Sequence, residues 1–316
     1  MTKHHIVQIG CGVVGKAYVD AFIKKGNDVS IIEANKTMIA NYKEQGYQIY
    51  HISDDLSGIK NVDFVMISVF TPLVGDSITM QYIYSTLPNV ETILQNSPNA
   101  VVLIRSTVKP LVTRDYRERL EDALGHPVNV VLQPEFLRAK TAFDDAMNPW
   151  CVVFGTDNLE PSYLKKLIDF YGMFIAEDQV RVMGYEEAEL LKLWHNTFNA
   201  CKISYFNSCM LMSLAIEKKA GVKINTDYVT SIMTKTCEGL MNPKYGTKAG
   251  HAYYGTCLPK DSAEMKCLER EYNVPGGIMD AIVAVNNVIK AGDKEEILDG
   301  DCHVPFTTLQ KISNIM

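Results

Sequence analysis

The chain has 316 residues, long enough for two hydrophobic cores, and its 47% hydrophobic and 22% charged content is an ordinary globular balance. A formal net charge of −6 argues against nucleic acid as the main partner, no apolar run reaches the length of a membrane span, and Met1-Thr2-Lys3-His4-His5 leads into a strand pattern rather than a signal peptide, so a cytoplasmic protein is expected. The eight cysteines, at 11, 151, 201, 209, 237, 257, 267 and 302, form neither a CxxC pair nor a Cys/His cluster, which speaks against a disulfide framework and against a metal site.

The first predicted strand, 5–9, runs directly into Gly10-Cys11-Gly12-Val13-Val14-Gly15 and a helix-like stretch to Lys25, and a second, 28–32, follows at βαβ spacing and ends in Glu33. In such a turn the first glycine permits the tight bend, the second lets the backbone approach a pyrophosphate, and the third lets helix and strand pack closely. The phosphates then rest on the helix N-terminus. A carboxylate at Glu33 accepts hydrogen bonds from ribose hydroxyls and repels a ribose phosphate, which points to NAD rather than NADP, with Lys36 the nearby cation able to tolerate a phosphate. Further strands are predicted at 63–68, 100–105, 128–132 and 151–154, alternating with helical patterns. Residues 1–184 therefore read as an α/β domain, a Rossmann-like doubly wound parallel sheet.

From Glu186 to about Lys219 a proline-free pattern, apolar over most of its circumference, predicts one long helix buried on several sides, a connector between domains or the core of a dimer. Along it Glu189, Lys192, Asn196, Asn199 and Ile203 recur at spacings of three and four. Four of these five are polar, so the stripe is either a solvated face or a site. Lys192 and Asn196, one turn apart, are both able to donate to an oxygen that becomes negatively charged. Helices are also expected at 225–236, 261–272 and 277–291, in an all-helical central domain at 185–297 with a tail at 298–316. Glycine and proline concentrate at 239–259, which ends in Tyr253-Tyr254-Gly255-Thr256-Cys257. Cys257 stands just before Asp261-Ser262-Ala263-Glu264, a capping box. The helix dipole and Lys260 favour a thiolate there, so Cys257 is a candidate nucleophile, the plain alternative being a small buried hydrophobe.

These residues belong to a longer ordered series. Ser68-Val69-Phe70-Thr71-Pro72, Arg105-Ser106-Thr107-Val108, Pro134-Glu135-Phe136-Leu137-Arg138, Glu189-Leu190-Leu191-Lys192 with Asn196, Ala200-Cys201-Lys202-Ile203, and Cys257-Leu258-Pro259-Lys260-Asp261 follow the glycine turn in that sequence. Over nearly its whole length the chain resembles the UDP-glucose/GDP-mannose dehydrogenase family. The resemblance implies a nucleotide-sugar substrate, UDP-glucose being the expected one, whose primary alcohol is oxidised to a carboxylate in two NAD-dependent hydride transfers through a thiohemiacetal and a thioester on Cys257. It further implies that Lys192 and Asn196 stabilise the oxyanions, that Asp261 orients Lys192 and a water, and that Glu135 and Thr107 place the hydrolytic water. Val69, Thr71, Ser106, Thr107 and Glu135 would then line the cofactor. Phe136, Leu137, Arg138, Lys192, Asn196, Lys244, Tyr253, Tyr254 and Gly255 would meet the substrate, in a homodimer built on the long helix.

Departures accompany the matches. Leu111 stands where the family has a glycine after its STV block, Tyr254 replaces one glycine of a pair, and the chain stops at Met316, which leaves 298–316 too short for the family's third, nucleotide-gripping domain. Two alternatives follow: a two-electron dehydrogenase of a smaller β-hydroxy acid, which has no need of Cys257, and a non-catalytic NAD-binding subunit.

Overall fold

The computed structural model describes residues 3–74, 77–241, 252–254, 266, 269–271 and 273–292. Lys244, Gly255, Cys257, Lys260 and Asp261, most of the predicted helix 261–272, and the tail 298–316 lie outside the described residues. The chain forms two units, Met1–Asn196 and Thr197–Met316.

In the first unit, short runs of β-branched and aromatic residues form the strands β1 (His5–Ile9), β2 (Asp28–Glu33), β3 (Gln48–His51), β4 (Phe64–Ile67), β7 (Val101–Ile104), β8 (Val130–Leu132), β9 (Val152–Gly155) and β10 (Val180–Met183). A small separate hairpin pairs β5 (Leu73–Val74) with β6 (Ser77–Ile78). The main sheet has the order β10-β9-β8-β7-β4-β1-β2-β3. The chain winds outward from β1 to β3, then crosses back to β4 on the other side of β1, so the carboxyl ends of β1 and β4 flank the topological switch point.

The strands are apolar on both faces because helices cover both. Phe64, Met66, Val101 and Leu103 pack under α1 (Val13–Lys24), α6 (Ala142–Met147) and α7 (Pro161–Tyr171). Val65, Ile67, Val102 and Ile104 pack under α4 (Leu87–Asn96) and α5 (Val112–Leu124). The short helices α2 (Lys36–Glu44) and α3 (Gln81–Tyr84) complete the crossovers.

The six strands predicted in the sequence are present. The pattern missed β3 and β10, the two edges of the sheet, where most side chains stay partly exposed and no continuous apolar run marks the strand. Nor is the sheet parallel throughout, since β9 pairs antiparallel to β8 through Leu132 and Gly155. That reversal makes the β8–β9 connection begin and end at the carboxyl edge of the sheet, which keeps Pro134–Arg138 beside the switch-point strands.

The helix α8 runs unbroken over 36 residues, Tyr185–Ala220. The polar stripe is not a uniformly solvated face, because its Glu189 is 1% exposed. The carboxylate accepts Thr113 N at 2.9 Å, Thr113 Oγ1 at 2.7 Å and Leu111 N at 2.7 Å. It thereby caps α5, whose N-cap residue Leu111 has no side-chain acceptor to offer the orphan N–H groups of the first turn. Burial pushes the Glu189 carboxyl above the usual carboxylate range in spite of these donors.

Leu111 itself takes φ 75°, a left-handed conformation that costs a residue with a Cβ about 1–2 kcal/mol. At 60% exposure its side chain has little packing to lose. Leu111→Gly is therefore expected to stabilise the protein by about 1 kcal/mol, seen as a rise of roughly 2–4 °C in the thermal midpoint; a fall would show that the strain is absent.

In the second unit α9 (Thr226–Thr236) is capped by Asn225, whose Oδ1 accepts Tyr228 N at 3.0 Å. Next come the single turn α10 (Glu238–Met241) and then α11 (Ile278–Gly292). Phe198, Phe206, Met233, Leu240 and Ile282 line an apolar groove of about 670 Å³ in this unit. Among the described residues no helix is long and apolar enough to cross a membrane.

Candidate active site

The glycine turn is shaped by close approach. Gly10 adopts φ +80°, and a Cβ there would lie 2.7 Å from Ser68 O at the end of β4. A Cβ on Gly15 would lie 2.2 Å from Gly10 O, whereas one on Gly12 would meet nothing within 4 Å among the described residues. The first and third glycines thus serve the fold and the second leaves open space. Gln8, fully buried in β1, ties the turn down by donating from Nε2 to Gly10 O at 2.9 Å. The first-turn N–H groups of α1 follow Gly12, its N-cap.

A contrast between two substitutions tests this. Gly15→Ala forces backbone to move and is expected to destabilise the protein by about 1–3 kcal/mol. Gly12→Ala should fold with wild-type stability yet weaken NADH binding, read by thermal melts and fluorescence titration. Equal NADH affinity in Gly12→Ala and wild type would show that the open space is not where the cofactor backbone approaches.

Beyond the turn a cavity of about 650 Å³ is walled by Gly10, Gly12, Glu33, Asn35, Val69 and Tyr82, among others. Glu33 Oε1 accepts Ala34 N and Asn35 N, each at 2.9 Å, and Oε2 accepts Cys11 N at 2.8 Å. The carboxylate therefore locks the turn to the start of α2 and keeps capacity for about one more donor, at Oε2. Lys36, the first residue of α2, is exposed and not among the residues that wall this cavity. Cys11 also lines it, but burial first and then Glu33 push its thiol up to about 12, so this sulfur stays neutral.

Across the switch point a second cavity, of about 420 Å³, is lined by Gly12, Val13, Val14, Val69, Thr71, Arg105, Ser106, Thr107 and Glu135. Ser106 Oγ donates to Val69 O at 2.7 Å, joining the ends of β4 and β7. Glu135 follows β8, and its Oε1 lies 3.1 Å from Lys192 Nζ, an ion pair whose side chains are 12% and 8% exposed. Lys192 Nζ also donates to the main-chain oxygen of Glu135, and Leu137 N donates to Glu135 Oε2 at 2.7 Å. One helix lysine thus fixes the whole Pro134–Leu137 turn. An ammonium and a carboxylate held in this way, with the Thr107 hydroxyl in the same wall, suit oxyanion stabilisation and the holding of a water.

The remaining candidates are less concentrated. Asn196, one turn beyond Lys192, is exposed. The Phe136 ring lies under Lys192 Nζ, 5.5 Å from its centroid, and 4.9 Å from the His195 ring. Arg138 is paired with Asp145 through Nη2 at 2.6 Å and Nε at 3.0 Å, so its charge is partly committed. Tyr253 N donates to Asn286 Oδ1 at 2.7 Å, and Lys290 Nζ lies over the Tyr254 ring. His195 escaped the sequence reading although its spacing of three from Lys192 puts both on one face. Burial, and then the Lys192 charge, hold its imidazole below the ordinary histidine range. Among the described residues no group of three His, Cys, Asp or Glu side chains is placed to hold a metal ion.

Comparison with known proteins gives two adjoining family matches. Residues 50–175 match the UDP-glucose/GDP-mannose dehydrogenase family, NAD binding domain, and residues 186–288 match the central domain of the same family. A UDP-glucose 6-dehydrogenase of Rhizobium meliloti (strain 1021) is 27% identical over 305 residues, which span 89% of this chain and 67% of that protein. Another UDP-glucose 6-dehydrogenase, from Campylobacter jejuni, is 28% identical over 93% of this chain and 75% of its own length. Among solved structures, a ternary complex of GDP-mannose dehydrogenase from Pseudomonas aeruginosa shares the fold with a TM-score of 0.76 at 22% identity, covering 91% of this chain and 70% of that one. An imine reductase from Myxococcus stipitatus in complex with NAD+ shares it with a TM-score of 0.63 at 14% identity.

Proposed function

The chain belongs to the UDP-glucose/GDP-mannose dehydrogenase family, NAD-binding oxidoreductases of nucleotide sugars, and from that premise we propose that it is a UDP-glucose 6-dehydrogenase, producing UDP-glucuronate. The observation that carries this reading is the Lys192–Glu135 pair, whose carboxylate shares a cavity wall with Thr107 and with the glycine turn at Gly12. Relatives in Rhizobium meliloti and Campylobacter jejuni bearing that name support the choice of sugar nucleotide.

The residues at the glycine turn suit NAD. Gly12 has open space in front of it, α1 presents its N-terminal N–H groups, and Glu33 can accept one more hydrogen bond. When bound, NAD supplies the hydride acceptor for both oxidations. The protein supplies the rest. Lys192 and Asn196 donate to the oxygen that gains negative charge, Cys257 attacks the aldehyde carbon to hold it as a thiohemiacetal and later a thioester, and Asp261 orients Lys192. Glu135 and Thr107 hold the water that releases the acid. Val69, Thr71 and Ser106 position the cofactor, while Phe136, Leu137, Arg138, Lys244, Tyr253, Tyr254 and Gly255 meet the substrate.

In this reading residues 1–184 bind NAD, 185–297 form the helical catalytic and dimerisation domain, and 298–316 are a tail, in a cytoplasmic homodimer paired along α8.

The test is NADH formed per substrate consumed, with UDP-glucose, GDP-mannose, UDP-N-acetyl sugars and small hydroxy acids offered separately to the purified chain. Two NADH per UDP-glucose is the expected result. One NADH from a small hydroxy acid would replace this function with a two-electron dehydrogenase, and none from any substrate would leave an NAD-binding subunit.

A further inference from the structure

Arg105 directly follows β7 and is 1% exposed, yet among the described residues no carboxylate pairs with it. Its Nε donates to Gln133 Oε1 at 2.9 Å and its Nη2 to Tyr171 Oη. The guanidinium carbon lies 3.6 Å from the centre of the Tyr18 ring and 5.2 Å from that of Phe22. Tyr171 Oη donates in turn to Gln133 Oε1 at 2.6 Å, and Nη1 is buried with no hydrogen-bond partner among the described residues. Amides and aromatic rings disperse a positive charge without cancelling it. The two phenols do not cancel it either, because burial pushes both Tyr18 and Tyr171 upward and keeps them neutral.

The other charges beside this cavity offset one another. Glu135, which lines it with Arg105, is neutralised by Lys192 at 3.1 Å. Among the described residues Arg105 is thus the charge left uncompensated in a wall that also contains Gly12, Val13, Val14, Thr71 and Thr107. Glu33 marks the adenosine side on β2, so a dinucleotide laid across the switch point brings its nicotinamide half to the β4, β7 and β8 side, where this cavity lies.

We propose that Arg105 tunes the bound cofactor: its buried guanidinium disfavours the cationic oxidised nicotinamide relative to the neutral reduced ring, so the chain binds NADH more tightly than NAD+. Hydride acceptance puts two electrons and one proton on the ring and removes its positive charge, and Arg105 pulls that step forward. In a medium of low effective dielectric a unit charge about 10 Å away shifts such an equilibrium by about tenfold. The inference rests on NAD as the cofactor and not on UDP-glucose as the substrate.

The experiment measures NADH affinity by fluorescence titration and NAD+ affinity by displacement of NADH, without substrate, in wild type, Arg105→Met and Arg105→Lys. The wild type is expected to favour NADH clearly. Arg105→Met is expected to lower the preference by about tenfold, equivalent to about 30 mV for a two-electron couple, and Arg105→Lys to retain most of it. Equal affinity for the two forms in the wild type overturns the proposal without any variant, so a variant that does not fold cannot shelter it. A folded Arg105→Met with an unchanged ratio, or an Arg105→Lys that loses the preference as fully as Arg105→Met, also overturns it. Failure of UDP-glucose turnover leaves this ratio untouched, which keeps the two conclusions separable.

Discussion

Lys192→Met is expected to lower kcat for nucleotide-sugar oxidation by about 10²–10³-fold, the effect of removing one preorganised donor from an oxyanion site, with little change in NADH affinity. The substitution keeps most of the side-chain volume but leaves Glu135, 12% exposed, without its cation. Breaking a fully buried pair costs about 3–5 kcal/mol. Glu135 retains the hydrogen bond from Leu137 N and borders a cavity, so a loss of about 2–3 kcal/mol is expected here. Lys192→Met combined with Glu135→Gln removes the unpaired charge and should regain most of that stability while recovering no activity. Thermal denaturation beside initial rates separates the two effects. If Lys192→Met lost stability but kept the wild-type kcat, Lys192 would be a structural strut and not a donor to the reacting oxygen.

Under the proposed thioester route, Cys257→Ser should reduce steady-state NADH formation from UDP-glucose by on the order of 10⁴-fold or more, since an alcohol at that position is a far weaker nucleophile and no thioester can form. Any remaining product should carry at most one oxidation, so the ratio of NADH to sugar consumed falls from two toward one. A second cysteine supplies the control. Cys11 lines the cofactor cavity, but burial and the Glu33 carboxylate push its thiol up to about 12, so it remains protonated at neutral pH. A thiol alkylator at pH 7 should inactivate the enzyme by labelling Cys257 and leave Cys11 unmodified, which peptide mapping resolves. Wild-type rates in Cys257→Ser would remove the covalent mechanism and favour two-electron chemistry.

What the chain announces on its own is local. The short apolar runs of the buried strands, the three-glycine spacing ending in Glu33, and a proline-free run long enough for α8 are each written within a few tens of residues, and the sheet, its glycine turn and that helix follow. The charge partners are not written that way. Lys192 meets Glu135 across 57 positions, and Glu189, its neighbour on the same helical stripe, turns instead to Leu111 and Thr113, 78 and 76 positions away. Periodicity says that two side chains share a helix face but not what each one reaches, because that depends on which strand end or helix N-terminus packs there. The edge strands β3 and β10, half exposed, have too weak an apolar pattern to declare themselves, and the reversal of β9 depends on where the β8 connection returns. Arg105 makes the same point: in sequence it only precedes Ser106 and Thr107, and burial against Tyr18, Gln133 and Tyr171, which two helices and a strand end bring together only in the fold, leaves it uncompensated among the described residues. The chemistry available to this protein is encoded in residue types and spacings, while tertiary packing decides which of those groups are paired, capped or left charged, because burial sets the cost of a charge and only the fold sets burial.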